Sequence, residues 1–131
     1  MKTEELAYLK TSGKPFDTLI KAVEAAAVKR NFRVLHKHNI QATLAEKDLE
    51  LTPYTVVEVC NGGFAHKVLT SNKEVGMMLP CRIAVYEKEG INHVLLMKPT
   101  LINTMMSDAD FGTVPADVEQ ILIEAVDEAV A

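Results

Sequence analysis

The sequence predicts an α+β fold, a two-layer sandwich in which a mixed or antiparallel sheet carries its helices on one face. Two segments, one near each end of the chain, place apolar residues at the helical period of 3.6. Between them lie shorter segments rich in β-branched residues, which are typical of strands. The dipeptide Glu89-Gly90 separates two of these segments and indicates a β-hairpin. Helices that bracket such a sheet favour two packed layers.

The first strand and the first long helix are expected within the first 31 residues. The strand runs from Leu6 to Thr11, and the segment Ser12-Gly13-Lys14 interrupts it. Pro15 then opens the helix, where a missing N–H costs nothing. Asn31 is expected to stop this helix. Its apolar stripe recurs at i, i+3, i+4, i+7 and i+11 and consists of Phe16, Leu19, Ile20, Val23 and Ala27.

Two further strands are expected in the middle of the chain. The first spans Phe32 to His38, and simple alternation places four of its residues on one face: Phe32, Val34, His36 and His38. Asn39 is expected to cap a short helix from Ile40 to Lys47. The next strand, Thr55 to Cys60, follows Pro53.

The second half of the chain is expected to begin with a turn and a short helix. Asn61-Gly62-Gly63 forms the turn, and the helix covers Phe64 to Thr70. The strands Cys81 to Lys88 and Ile91 to Lys98 form the hairpin. The connection from Leu101 to Gly112 carries no clear period and is left unassigned.

A second long helix is expected at the end of the chain. Pro115 opens it, and Asp117 lies in its first turn, where a negative charge is favourable. Its apolar stripe consists of Val118, Ile121, Leu122, Ala125, Val126 and Ala129. With no repeat and no linker, residues 1–131 are expected to form a single domain.

Charge and hydropathy argue against two classes of partner. The chain carries 14 basic and 18 acidic residues, a net charge of −4, and the basic residues do not cluster. No nucleic-acid partner is therefore expected. No run of about 18 apolar residues is present, so no membrane partner is expected either. The charged start, Met1 to Leu6, lacks a signal-peptide pattern, and a cytoplasmic protein is expected.

The segment between the two cysteines, Cys60 and Cys81, is the best candidate site. Cys60 ends a strand, and a glycine-containing turn and a helix N-terminus follow it. Backbone N–H groups and the positive end of the helix dipole favour an anion or a thiolate in such a place. The candidate ligand-binding residues are Cys60, Asn61, Gly62, Gly63, His66, Pro80 and Cys81.

A soft-metal site is an alternative for the same segment. Cys60, His66 and Cys81 are ligand types that bind zinc or copper, and Met77 and Met78 add thioethers. The spacing matches no recognised metal motif, so the fold would have to assemble the ligands.

Two observations oppose an activated thiol. Cysteine is often buried as a small apolar residue, which favours a structural role for both thiols. In addition, Glu58 and Glu87 share strand faces with Cys60 and Cys81, and a neighbouring carboxylate raises a thiol pKa.

The sequence resembles the domain of unknown function 302 family over about residues 6 to 100. The resemblance rests on Asn31-Phe32-Arg33-Val34-Leu35, on the strand ending in Cys60-Asn61, and on Leu79-Pro80-Cys81. One position departs from the family pattern, because Gly62 follows Asn61 where a proline is usual. The resemblance implies a two-layer sandwich similar to half of the TATA-binding protein, usually a homodimer, with no established activity.

Three functions therefore remain open. The first is a non-enzymatic, homodimeric binding module that holds a small molecule or a soft metal near Cys60, Asn61, His66 and Cys81. The second is a thiol-dependent redox or sulfur-handling enzyme with Cys60 as nucleophile and Cys81 as resolving thiol. The third is a structural or interaction protein with buried cysteines. No catalytic motif and no cofactor is recognisable.

Overall fold

The computed structural model describes residues 1–131. Five strands form a single sheet in the order β1-β5-β4-β3-β2, and every neighbouring pair is antiparallel. The strands are β1 (Ala7–Ser12), β2 (Arg33–Asn39), β3 (Tyr54–Cys60), β4 (Cys81–Lys88) and β5 (Ile91–Met97). The α+β prediction is confirmed, and of its two sheet types the antiparallel one is observed.

Six α-helices connect or cover the strands. They are α1 (Thr3–Leu6), α2 (Phe16–Lys29), α3 (Ile40–Ala45), α4 (Gly62–Ser71), α5 (Leu101–Met105) and α6 (Val114–Val130). A 3₁₀ helix, Lys73–Met78, follows α4. The sequence reasoning missed α1, α5 and the 3₁₀ helix. None of the three is longer than six residues, so an apolar period is too brief to detect in them. None of the helices has the length and apolar character that crossing a membrane requires.

The main core lies between one face of the sheet and helices α2 and α6. The apolar stripes predicted for these two helices supply most of the helical side of this core. The sheet contributes six fully buried side chains, two from each central strand: Val57, Val59, Ile83, Val85, Val94 and Leu96. Burial of such side chains contributes about 1.5–3 kcal/mol each, so the packing of α2 and α6 on the sheet stabilises the fold substantially.

Strand β2 contains a β-bulge that changes the expected alternation. Val34 pairs with the buried Val59, but His36 pairs with Glu58, and the register shifts between them. One extra residue in the strand moves the following side chains to the opposite face. The prediction that His36 and His38 share a face with Phe32 and Val34 is therefore wrong. Continuous alternation in sequence gives no sign of such a bulge.

The end of α6 is held against its neighbours by cations. The Lys14 Nζ donates to the Ala129 carbonyl oxygen at 2.7 Å, in the last turn of the helix. Positive charge is favourable there, and the last turn has no basic residue of its own. Glu128 also pairs with Lys29, the last residue of α2, and with Arg30, which follows it. These contacts hold the C-terminal end of α6 against the C-terminal end of α2.

The opposite face of the sheet has no helical cover. Leu9 and Met97 are 46% and 42% exposed on it. Tyr54, Tyr86 and His93 stack there across three strands, with ring centroids 5.2 and 5.1 Å apart. This surface is called the open face below.

Candidate functional site

An apolar cavity lies where α4 and the N-terminal end of α6 meet the ends of β3 and β4. Its volume is about 60 Å³, and twelve of its fifteen lining residues are hydrophobic, both cysteines included. The lining residues are Phe32, Val59, Cys60, Asn61, Phe64, Ala65, Val68, Met78, Leu79, Cys81, Pro99, Ile102, Val114, Pro115 and Val118. The structure thus brings Cys60, Asn61 and Cys81 together, as the sequence predicted for this segment.

Asn61 fixes the position of α4 beside this cavity. Its side-chain oxygen accepts a hydrogen bond from the Phe64 N–H at 3.1 Å and caps the helix. Its amide nitrogen donates to the Asn31 carbonyl oxygen at 2.9 Å, in the turn between α2 and β2. One side chain therefore connects two turns that are 30 residues apart. Both functions are structural, so Asn61 forms the cavity wall as part of the fold.

The two glycines after Asn61 differ in what they contribute. A Cβ on Gly63 would lie 3.3 Å from the Asn61 Oδ1, so the capping geometry favours a residue without a side chain. A Cβ on Gly62 would meet nothing within 4 Å. Gly62 is the first residue of α4, a position at which proline is favoured. Both glycines are exposed, and neither lines the cavity.

The two cysteines are neighbours with unactivated thiols. Cys81 pairs in register with Val59, the residue before Cys60, and no disulfide joins the two thiols. Burial raises the pKa of the Cys60 thiol. Burial, together with the nearby Cys60, raises the pKa of Cys81 to about 11.

The expectation of a thiolate stabilised by the helix N-terminus is therefore wrong. Asn61 already satisfies the Phe64 N–H with its side chain and the Ala65 N–H with its carbonyl oxygen, at 3.1 and 2.9 Å. The apolar surroundings therefore determine the thiol pKa. The hydration that a thiolate loses there costs more free energy than its interaction with the capped helix end provides. Burial, rather than the carboxylates of Glu58 and Glu87, is the main cause of both raised pKa values.

The predicted metal ligands are not assembled. His66 is exposed on α4 and does not line the cavity. No group of three or more His, Cys, Asp or Glu side chains lies close enough to hold a metal ion. Cys60, His66 and Cys81 therefore do not form a set of three metal ligands in this structure. A helix of ten residues turns His66 outward while Phe64 and Val68 face the protein.

Pro80 lies outside the cavity, in a neighbouring groove of about 210 Å³. The two spaces share Met78, Cys81, Pro99 and Ile102. Sequence reasoning missed most residues on the far wall of the cavity, such as Pro99, Ile102 and Val114. Pro99 follows the second strand of the hairpin, Ile102 belongs to the unassigned connection, and Val114 begins α6.

Comparisons with known proteins identify the family. The family model described as "Domain of unknown function DUF302" matches residues 8–129. This chain belongs to the DUF302 family. A crystal structure of an uncharacterized conserved DUF302 protein from Bacillus stearothermophilus is similar, with a TM-score of 0.88 and 31% sequence identity. That similarity covers 95% of this chain and 98% of the other. No curated protein matches.

Membership in the DUF302 family confirms the resemblance drawn from the Cys60-Asn61 and Leu79-Pro80-Cys81 motifs. The two motifs lie side by side in the structure, because residues of both line the same cavity. Gly62 stands where the family usually has a proline, yet the Asn61 side chain still caps α4.

Replacement of Gly62 by proline is expected to stabilise this DUF302 protein. Asn61 has φ −107° and ψ 119°, which suits a residue before proline, and Gly62 has open space around its Cα. We expect the Gly62→Pro variant to gain about 0.4–1 kcal/mol in unfolding free energy by restricting the unfolded chain. Urea denaturation measures the change.

The matched control for this variant is Gly112→Pro. Gly112 has φ 60°, which proline does not adopt, and its N–H donates to the Asp110 Oδ1 at 2.9 Å. This control is expected to lose stability. A loss of stability in Gly62→Pro as well would contradict the assignment of Gly62 to the first position of α4.

The Cys81 thiol is expected to make stability depend on pH in the alkaline range. Because its pKa rises from 9.0 to about 11 on folding, the protonated thiol is favoured in the folded state. The resulting stabilisation is complete below about pH 9 and is lost between pH 9 and 11, by roughly 2–3 kcal/mol. We expect wild type to lose more unfolding free energy than Cys81→Val across this window.

Urea titrations at pH 8 and pH 10.5 measure this difference. The variant comparison removes the contribution of Tyr8 and Tyr86, whose raised pKa values affect both proteins equally. Cys60→Val is the control, with a smaller expected effect because the pKa of Cys60 is raised less. If the unfolding free energy of wild type and of Cys81→Val depended on pH in the same way, burial would not raise the pKa of Cys81.

Proposed function

We propose that this DUF302 protein is a non-enzymatic, homodimeric binding module that accepts the apolar end of a small molecule in the cavity beside Cys60 and Cys81. The apolar lining carries the proposal. Asn61 is the single polar side chain on the wall, and its oxygen and nitrogen are both engaged within the protein. The wall therefore offers a ligand apolar contact rather than hydrogen bonds.

The size of the cavity restricts what it can accept. Its volume of about 60 Å³ is well below the roughly 300–1,000 Å³ of sites for drug-sized ligands. It suits the end of an alkyl chain or a molecule of a few heavy atoms. An apolar group bound there would remove apolar surface of the wall from water, which favours binding.

The thiols support binding over catalysis. A nucleophilic or redox-active cysteine requires a thiolate near neutral pH, and the pKa values of Cys60 and Cys81 are both raised. The thiol-dependent enzyme is therefore the less supported alternative. Protonated cysteines behave as small apolar groups, which suits the wall of an apolar cavity. Two free cysteines also agree with a reducing, cytoplasmic location.

One end of the open face, the end that carries the stacked rings, is the proposed dimer interface, whereas Arg82 and Met97 lie at the opposite end of their strands. It combines apolar side chains such as Leu9 with the stacked rings of Tyr54, Tyr86 and His93. A two-fold axis places these apolar and aromatic side chains against the same side chains of a second copy, so a second copy of the chain is the proposed occupant.

The cavity is expected to bind 1-hexanol, an uncharged probe with a short alkyl chain. Ala65 lines the cavity, and a leucine there would fill it. We expect saturable binding to wild type in NMR titrations and at least tenfold weaker binding to Ala65→Leu. Ala116→Leu is the control, because Ala116 is exposed on α6 and does not line the cavity.

The thermal midpoint of each variant shows that it is folded, and Ala65→Val replaces Ala65→Leu if the larger residue prevents folding. Equal hexanol binding by wild type and a folded Ala65 variant would contradict the assignment of the cavity. Absence of hexanol binding to wild type would contradict the proposed function.

The dimer is expected to depend on Leu9. Leu9 and Leu49 are 46% and 56% exposed, but only Leu9 lies on the open face. We expect Leu9→Glu to convert a dimer to a monomer in analytical ultracentrifugation, because a buried charge without a partner is strongly unfavourable. Leu49→Glu is expected to leave the dimer intact. A monomeric wild type at micromolar concentration, or a dimer unaffected by Leu9→Glu, would exclude this interface.

A further inference from the structure

The groove next to the cavity has an unusual composition. Four of the six methionines of the chain line it, and the 3₁₀ helix, β5 and α5 contribute them: Met77, Met78, Met97 and Met105. Three of these side chains are between 42% and 74% exposed. Flexible thioether side chains adapt to ligands of different shape, so an exposed group of them favours an apolar binding surface.

Two cations lie in the same groove, and no carboxylate does. Arg82 and Lys98 line it, whereas no Asp or Glu lines either the groove or the cavity. This is notable in a chain with a net charge of −4. Lys98 is half-buried, and its Nζ donates only to the backbone carbonyl oxygen of Glu4, at 3.2 Å.

Arg82 also lacks a counter-ion. Glu58 lies opposite it in the pairing of β3 with β4, yet the two side chains form no ion pair within 4.0 Å. Both cations of the groove therefore retain free N–H donors. Such donors are suited to an anionic group, and an arginine can bind a carboxylate with two parallel hydrogen bonds.

The groove and the cavity form one extended site. Met78, Cys81, Pro99 and Ile102 line both spaces. The cations lie on the groove side only, and the cavity side is apolar. A molecule that spans the two would have a charged end near Arg82 and Lys98 and an apolar end near Cys81.

We propose that the ligand of this site is an aliphatic monocarboxylate, with its carboxylate at Arg82 and Lys98 and its alkyl chain along the methionines toward the cavity. The inference rests on the proposed binding function and adds the chemical class of the ligand. A short chain fits best, because the groove measures about 210 Å³ and the cavity about 60 Å³.

The charges favour this ligand over a soft metal ion. Thioethers and a thiol also bind Cu(I) or Ag(I), and Cys81 lies among the methionines. Two uncompensated cations in the groove repel a metal cation and attract an anion. Burial moreover keeps the Cys81 thiol protonated at neutral pH, which reduces its availability as a ligand.

The test uses the intact protein labelled with ¹³C at the methionine methyl groups. Hexanoate and 1-hexanol are titrated separately and differ only in the charged end. We expect hexanoate to shift the signals of Met77, Met78, Met97 and Met105. Met1 and the buried Met106 do not line the groove and serve as internal controls. Hexanoate is expected to bind at least tenfold more tightly than hexanol.

Charge variants identify the carboxylate position. Arg82→Gln and Lys98→Gln are each expected to weaken hexanoate binding about tenfold while leaving hexanol binding unchanged. Lys88→Gln, at the other end of β4, is the control and is expected to have no effect. Glu58→Gln is expected to strengthen hexanoate binding, because it removes the carboxylate nearest to Arg82 along the sheet.

The outcomes separate this inference from the proposed function. Equal binding of hexanol and hexanoate, or no effect of Arg82→Gln and Lys98→Gln, would overturn the carboxylate assignment while retaining the cavity as a binding site. Binding of neither probe would overturn both. Shifts of the groove methionines with Ag(I) and none with hexanoate would replace the carboxylate with a soft metal.

Discussion

Burial of one face of an antiparallel sheet by two long helices is the interaction on which the rest of the molecule depends. The side chains that β3, β4 and β5 direct toward α2 and α6 are fully buried, and the helices contribute matching apolar stripes. Because two helices cover only one face, the second face remains open. Because α6 begins beyond the ends of β3 and β4, its first turn and α4 enclose an additional space there. Both the proposed interface and the candidate site follow from this single packing arrangement.

Asn61 acts on the candidate site through the structure that it holds together. A polar residue beside a cysteine suggests chemistry, yet its two polar atoms are used to cap α4 and to hold the turn at Asn31. The consequence for function is indirect. A helix fixed at its N-terminus presents Phe64, Ala65 and Val68 to the cavity in defined positions. The site is thus shaped by a hydrogen-bonded turn whose own polar groups are unavailable to a ligand.

The electrostatic character of the site changes over a short distance. At Cys60 and Cys81 the surroundings are apolar, and burial keeps both thiols protonated. At Arg82, one residue further along β4, the side chain is exposed and has no ion-pair partner. Strand alternation produces this change, because consecutive residues point to opposite faces of the sheet. A ligand with one apolar end and one charged end matches this change from apolar to charged surroundings.

Local signals in the sequence determined the long helices, the hairpin and the cap at Asn39, because each depends on residues close together in the chain. The strand Cys81–Lys88 was predicted with the bounds that the structure has. The same signals placed both cysteine motifs at one site. They could not reveal the bulge that turns His36 and His38 to the open face, since alternation continues through it.

Only the tertiary structure decided the chemistry of the site. The thiol pKa values depend on the apolar surroundings that α4 forms together with α5 and α6, and the last two helices are remote from Cys60 and Cys81 in sequence. The exposure of His66 depends on which face of α4 packs against the core, and the charge of the groove depends on Arg82 and Lys98 meeting across two strands. Sequence by itself therefore determined the elements and the location of the site. Packing decided its polarity, because desolvation and charge are properties of the assembled surroundings rather than of the residue types.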